Sequence, residues 1–409
     1  MKKSKSEPLF HIVKRDTLVW YKAWGIRAAA IIAALIVCGI VTTVTTGLNP
    51  ISVYGAFIQG AFGSGRKVWI TLQNMSILLI ISLALTPAFK MRFWNIGGEG
   101  QVLVGALATA ACMILLGDKI PNPLLILIMT VSALAAGAVW GLIPAVFKAK
   151  WNTNETLSTL MMNYIATQLV AFFTVVWEVP KGSFTVGIIN QSTNAGWLPQ
   201  LFGSKYLLPI VVALVTTASM FVYLRYSKHG YEIAVVGESE KTAKYVGMKT
   251  EKIIIRTMLL SGALCGLAGL LLVGGINHTI TTTINSGQGF TAVMVSWLAK
   301  FNPITMIFTS FLIIFLERGA GEVSTNFGLN QSFADILTGI ILFFIIGCEF
   351  FITYKIVGKA KKAEPAGASK SIEETKTEKA EAEEKAEETA EESKAEETEE
   401  KTETAEKTE

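Results

Sequence analysis

Along most of the chain, apolar residues come in long unbroken runs, not in the alternation of a half-buried strand. The runs cover residues 28–47, 68–89, 98–116, 124–147, 157–177, 206–224, 257–276, 303–316 and 336–351. A helix that crosses a bilayer needs about 20 mostly apolar residues, so each run predicts a membrane span. A further piece, residues 290–298, is about half that length, and Phe301-Asn302-Pro303 cuts it off from the next run. Counted as a broken element, it brings the expectation to about ten spans. The predicted fold class is an all-α polytopic membrane protein.

The ends of the chain are different. Lys2, Lys3, Lys5, Lys14 and Arg15 precede the first run, which is long and lacks a small-residue cleavage site, so it reads as a retained span. Residues 371–409 hold 17 Glu and 6 Lys and no aromatic residue. Such a segment cannot bury enough surface to offset its chain entropy, which predicts a disordered or transiently helical tail. Three regions follow: a cytoplasmic N-terminal segment 1–27, a membrane domain 28–354 and a cytoplasmic low-complexity acidic tail 355–409.

Charge refines this picture. Hydrophobic residues make up 51% and charged residues 17% of the chain, below the roughly 25% charged of a soluble domain. Residues 1–370 carry 30 basic and 15 acidic residues, net +15, and the tail carries −11, so the overall +4 averages two unlike regions. With the N-terminus inside, Lys90, Arg92, Lys148, Lys150, Lys300 and the basic residues of 225–256 fall in inner loops. Arg66, Lys67, Lys119, Lys181, Lys205 and Arg318 fall outside. The inner excess survives only if residues 290–298 count as a crossing. Both termini are then cytoplasmic, in the plasma membrane.

Several kinds of chemistry lack their residues. Gly63-Ser64-Gly65-Arg66-Lys67 does not have the spacing of a phosphate-binding loop. Cys38, Cys112, Cys265 and Cys348 lie far apart inside apolar runs, and His11, His229 and His278 form no cluster, so no metal or disulfide framework is expected. Ionisable residues are nearly absent from the runs, Glu99 and Asp335 sitting at their edges. Carriers driven by proton relays keep such groups in the bilayer. A non-catalytic chain that draws its energy from elsewhere is the reading left.

The inner loop 225–256 is the most charged stretch before the tail. Ser239 is suited to N-cap a short helix that Gly247 closes at its C-terminus. Roughly eight residues make about two turns, too short to span, so this helix is expected flat at the membrane face, open to a soluble partner.

That loop also carries a resemblance. GYEIAVVGESEKTAKYVGM resembles the coupling loop of ABC importer permeases of the branched-chain amino acid and ribose type. FWNIGGEGQVLVGA, NETLSTLMMNYIA and GFTAVMVSWLAKFNP agree in order, and with GLNPISVYGAFIQGAFGS they resemble the nucleoside-importer branch. The chain departs from the family at Ala234, where Arg is common. The resemblance implies a permease subunit that binds no cofactor itself. Its expected partners are a cytoplasmic ATPase that uses ATP-Mg, a second permease (paralogue or self) and an extracellular substrate-binding lipoprotein, with no nucleic acid. The coupling-loop residues it marks are Gly230, Glu232, Gly237, Ser239, Lys244, Tyr245 and Gly247. A simple-sugar importer of the same build and a stand-alone secondary transporter are the competing readings.

Within the spans, non-helical backbone is tolerated where it lines a cavity or is buried in protein, and transporters place paired broken helices at the substrate. Two glycine-rich breaks, 95–101 and 286–290, precede apolar helices and are expected to face the translocation path as a pair. Asn95 and Gln101 are candidate cargo contacts, because neutral amides bond hydroxyls or base edges without a charge. Glu99 has three open readings: pairing with Arg92 at a favourable helix N-terminus, a buried network, or contact with substrate or gate. Thr159 and Asn163 lie four apart on one face and suit either helix–helix bonding or the path. Gln288, Phe290 and Trp297 complete the candidates, the two rings as surfaces for a base.

Overall fold

The computed structural model describes residues 10–14 and 20–358. The basic residues before position 10 and the acidic tail beyond 358, with its expected disorder, lie outside the described residues. In chain order the elements begin with strand β1 (Phe10–Lys14) and helices α1 (Trp20–Thr46), α2 (Pro50–Phe62), α3 (Gly65–Lys90) and α4 (Gly98–Leu116). Next come α5 (Asn122–Trp151), α6 (Glu155–Val176), α7 (Leu207–Tyr226), α8 (Lys228–Glu238), α9 (Glu240–Tyr245) and α10 (Thr250–Leu270), which continues as a π-helical turn, Leu271–Asn277. The chain closes with α11 (Gln288–Leu298), α12 (Pro303–Phe327), α13 (Gln331–Thr353) and strand β2 (Tyr354–Gly358). Among the described residues 9 helices are long and apolar enough to cross a membrane, and α11 is the expected half-length piece.

Three features were not anticipated. α2 is a second half-length helix, started by Asn49, whose side chain accepts from the Ile51 N–H, with Pro50 at its first position. α12 continues past the expected end at Leu316 through Glu317, Arg318 and Glu322. The strands β1 and β2 pair antiparallel, Phe10 opposite Gly358 and Lys14 opposite Tyr354.

Residues 27–348 form one compact unit, and the strands belong to a second. Within the first unit α3 is the central element: every residue from Ser76 to Phe89 is buried. A helix that is apolar all round is surrounded by protein, and α3 packs against α4, α7, α10, α11 and α12. Beside it, α4, α5 and α10 meet through glycines. A Cβ built on Gly105 would lie 2.5 Å from the Gly266 Cα, and one on Gly137 would lie 2.2 Å from the Gly262 carbonyl oxygen. Lipid supplies little hydrophobic drive between helices, so small residues that let backbones touch provide the attraction instead.

Candidate functional site

Beyond α3 the chain turns back into the protein at Arg92, whose φ is 61°. Asn95 then makes a tight turn, its Oδ1 accepting from the Gly97 N–H at 3.0 Å and its Nδ2 donating to the Ser261 hydroxyl at 3.1 Å. Thr159 and Asn163, on α6, hold the adjacent backbone. The Ile96 N–H donates to Thr159 Oγ1 at 3.2 Å, and Asn163 Nδ2 donates to the Ile96 carbonyl at 2.9 Å. Asn163 Oδ1 accepts from the Gly100 N–H at 2.8 Å. It thereby satisfies one of the first-turn donors of α4, which its own N-cap Gly97 does not. Gln101 Nε2 approaches Asn95 Oδ1 at 3.4 Å. All four side chains are buried. In this arrangement Asn95, Thr159 and Asn163 fix the broken backbone, the helix–helix bonding open to Thr159 and Asn163 in the sequence reading, while Gln101 Oε1 has no partner among the described residues.

Glu99 joins this break to the second one. Its carboxylate accepts from Asn285 Nδ2 at 2.7 Å, the Gly289 N–H at 2.8 Å and the Gly287 N–H at 3.3 Å. α11 starts behind Gly287, at φ +75°, with no side-chain cap of its own. The carboxylate thus sits at the positive ends of two helices at once, in the first turn of α4 and against the first turn of α11. Gly289 allows the approach, since a Cβ there would lie 2.3 Å from the Glu99 nitrogen. Of the three sequence readings, the buried network is the one the geometry matches; these bonds, not Arg92, engage the carboxylate.

A cavity of about 720 Å³ lies on the far side of the α11 N-terminus. Ser64, Arg66, Lys67 and Asn74 line it from the start of α3, Ser286 and Gln288 from the second break, and Glu317, Arg318, Glu322 and Thr325 from α12. Lys67 Nζ lies 2.8 Å from Glu322 Oε2. The Asn74 amide, with its oxygen turned towards α12, accepts from the Arg318 guanidinium. Gly60 and Gly319 let α2 close the wall: a Cβ on Gly60 would lie 2.5 Å from the Arg318 carbonyl oxygen. Of the eight path candidates only Gln288 lines this cavity. Phe290 and Trp297 are half-exposed on α11, and Trp297 stacks on Trp94 with ring centroids 5.3 Å apart. Lys67, Arg318 and Glu322 were missed because their charges read as loops, and Asn74 because it is a single neutral amide inside a predicted span. The signal was present in the helical spacing of Arg318 and Glu322 beyond residue 316.

Residues 68–346 match the family described as branched-chain amino acid transport system, permease component. The chain belongs to that permease family. The permease is 30% identical over 328 residues to the guanosine ABC transporter permease protein NupP of Bacillus subtilis, covering 79% of this chain and 93% of the relative. It is 28% identical over 340 residues to the nucleoside ABC transporter permease protein NupB of Lactococcus lactis subsp. cremoris, covering 81% and 92%. Over 361 residues it is 26% identical to the glucose ABC transporter permease protein TsgB13 of Haloferax volcanii, covering 84% and 92%. It is an ABC importer permease and a multi-span membrane protein.

The loop 225–256 of the permease holds two short helices where the sequence indicated one. Ser227 Oγ accepts from the Gly230 N–H at 2.9 Å and starts α8. Ser239 ends α8 and starts α9, its Oγ accepting from the Thr242 N–H at 3.2 Å. Gly247 closes α9 at φ +82°, as the cap reading expected. Both helices are anchored: Ile233 of α8 and Ala243 of α9 are buried in one cluster with Ala88, Met91, Phe93, Ile253 and Met258. Gly237 presses on the end of α3, where an added Cβ would lie 2.1 Å from the Lys90 carbonyl oxygen. Glu232 is half-buried on α8, while Lys244, paired with Glu240 at 2.7 Å, and Tyr245, 91% exposed, face outward.

Proposed function

We propose that this permease is the translocation subunit of an ATP-driven importer of nucleosides. The observation that carries the reading is its 30% identity to a guanosine permease across 93% of that protein's length. Cargo arrives from an extracellular binding lipoprotein, and a second permease, self or paralogue, completes the membrane part. A cytoplasmic ATPase that hydrolyses ATP-Mg docks on α8 and α9. The bias of Lys and Arg towards the end carrying Lys90, Lys148 and Arg225 supports a cytoplasmic location for that surface. The cavity then belongs to the outer half of the protein. Docking on α9 reaches the transport path through α8: α9 packs on α8 and α10, Gly237 of α8 bears on Lys90 and Met91, and the break held by Asn95 follows directly. A ligand-dependent ATPase state that presses differently on this surface biases one conformation over another.

Uptake of labelled guanosine and adenosine in a strain deleted for this gene tests the reading. Loss of nucleoside uptake, restored by the full chain, is expected. Similarity to a glucose permease favours a second reading, a simple-sugar importer. Loss of sugar uptake with nucleoside uptake intact would select it.

A further inference from the structure

Gln288 differs from the other buried amides. It is 9% exposed, it lines the cavity, and its Oε1 has no hydrogen-bond partner among the described residues. Leaving a buried amide oxygen without a partner is unfavourable, and a ligand in the cavity that donates to it removes that penalty. Asn95 and Asn163 bond backbone and neighbouring side chains. Gln101 Oε1 and Asn285 Oδ1 also lack a partner among the described residues, but neither residue lines the cavity, so Gln288 is the path candidate whose unpaired oxygen can read something in this space.

The surrounding charges define what that something is. Lys67 is neutralised by Glu322 and the Arg318 fork is engaged by Asn74. Arg66 and Glu317 remain, opposite in sign. A helix N-terminus ordinarily attracts anions, but at α11 the Glu99 carboxylate already takes the Gly287 and Gly289 N–H groups. The cavity therefore carries both signs, three basic side chains (Arg66, Lys67, Arg318) against two acidic ones (Glu317, Glu322), and not a cluster of one sign. Its walls offer donors and acceptors together, in a volume within the roughly 300–1,000 Å³ of small-molecule sites. No aromatic side chain lines it, so recognition is by hydrogen bonds and not by stacking.

We infer that this cavity is a transit site for neutral nucleosides, in which the Gln288 carboxamide bonds the base edge or ribose hydroxyls. Glutamine pairs with adenine through two hydrogen bonds, donating and accepting at once. The inference rests on the nucleoside reading above and specifies where within this chain the cargo is recognised.

Cells carrying the assembled transporter with Ser286→Cys provide the test. A membrane-impermeant methanethiosulfonate should label the cavity cysteine above the wild-type background, and millimolar guanosine should slow labelling at least fivefold. Adding Gln288→Ala should remove that protection and raise the KM of guanosine uptake at least tenfold, with the ATPase still recovered in complex. If Q288A does not assemble, Gln288→Glu keeps the shape and makes the same comparison. Equal protection by ribose would overturn the nucleoside assignment of the cavity, and protection by GMP without guanosine would overturn the neutral-ligand assignment. Guanosine uptake without protection would sink this inference and leave the proposed function standing. Cells that take up no nucleoside at all would instead sink the function.

Discussion

The Glu99 carboxylate accepts the backbone N–H of Gly289 at 2.8 Å, across 190 residues of sequence. The two glycine-rich breaks are therefore one joint. Glu99→Ala leaves Asn285, Gly287 and Gly289 without their acceptor, at about 1–3 kcal/mol for each buried donor left unmade. The expected result is a melting temperature several degrees lower in detergent and at least a tenfold loss of uptake, with Glu99→Gln between the two. Wild-type melting and uptake in E99A would show that the joint carries no weight.

The glycine seam gives a sharper contrast. Gly262→Ala places a Cβ 2.2 Å from the Gly137 carbonyl oxygen, against rigid backbone, whereas Gly55 and Gly339 have nothing within 4 Å. Overpacking costs about 1–3 kcal/mol and more where backbone must move, and Gly to Ala in an open helix position gains about 0.5–1 kcal/mol. G262A should fail to yield monodisperse protein; G55A and G339A should match or exceed wild type in a thermal melt.

Docking and folding separate on α9. Tyr245 is 91% exposed, so Tyr245→Ala should leave melting unchanged and reduce recovery of the ATPase in pull-down severalfold. Ser239→Ala removes the cap on Thr242, worth about 0.5–2 kcal/mol, and should weaken recovery by loosening α9. Full recovery with Y245A would place the docking surface elsewhere.

A pH effect is expected from His229 on α8. Burial holds its imidazole below the usual histidine value, and the Tyr223 hydroxyl bonds its Nδ1, which suits the neutral ring. Below about pH 6.5 the unfolded chain takes up a proton that the folded one resists, so stability falls as pH falls through and below that value. The groups facing the ring include Glu232 and Arg256. Melting between pH 7.5 and 5.5 should drop more in wild type than in His229→Gln; equal drops would remove His229 from the account.

The long spans were legible because each is a continuous apolar run, and hydropathy is read directly from such runs. α2 was not, since 13 residues interrupted by Gly55 and Gly60 look like a loop until α12 is there to bury Val53 and Phe57. α12 was read short because Glu317 and Arg318 resemble an exit from the membrane; Asn74 and Lys67, some 250 residues earlier in the chain, supply partners that permit the helix to continue. The same holds at the site. That Asn95, Thr159 and Asn163 bond backbone and Gln288 does not depends on the contacts between α4, α6 and α10, which local spacing does not encode. Ser239 and Gly247 were legible because caps are local chemistry.

The glycine seam has a mechanical consequence. Where Gly105 and Gly137 meet Gly266 and Gly262 there is no layer of side chains to act as a lubricant, and each backbone sits in the other's slot. Sliding α4 past α10 by even one residue would drive a bulky neighbour into that slot. These three helices behave as a stator, and any stroke of the transporter has to be taken up by the elements around them.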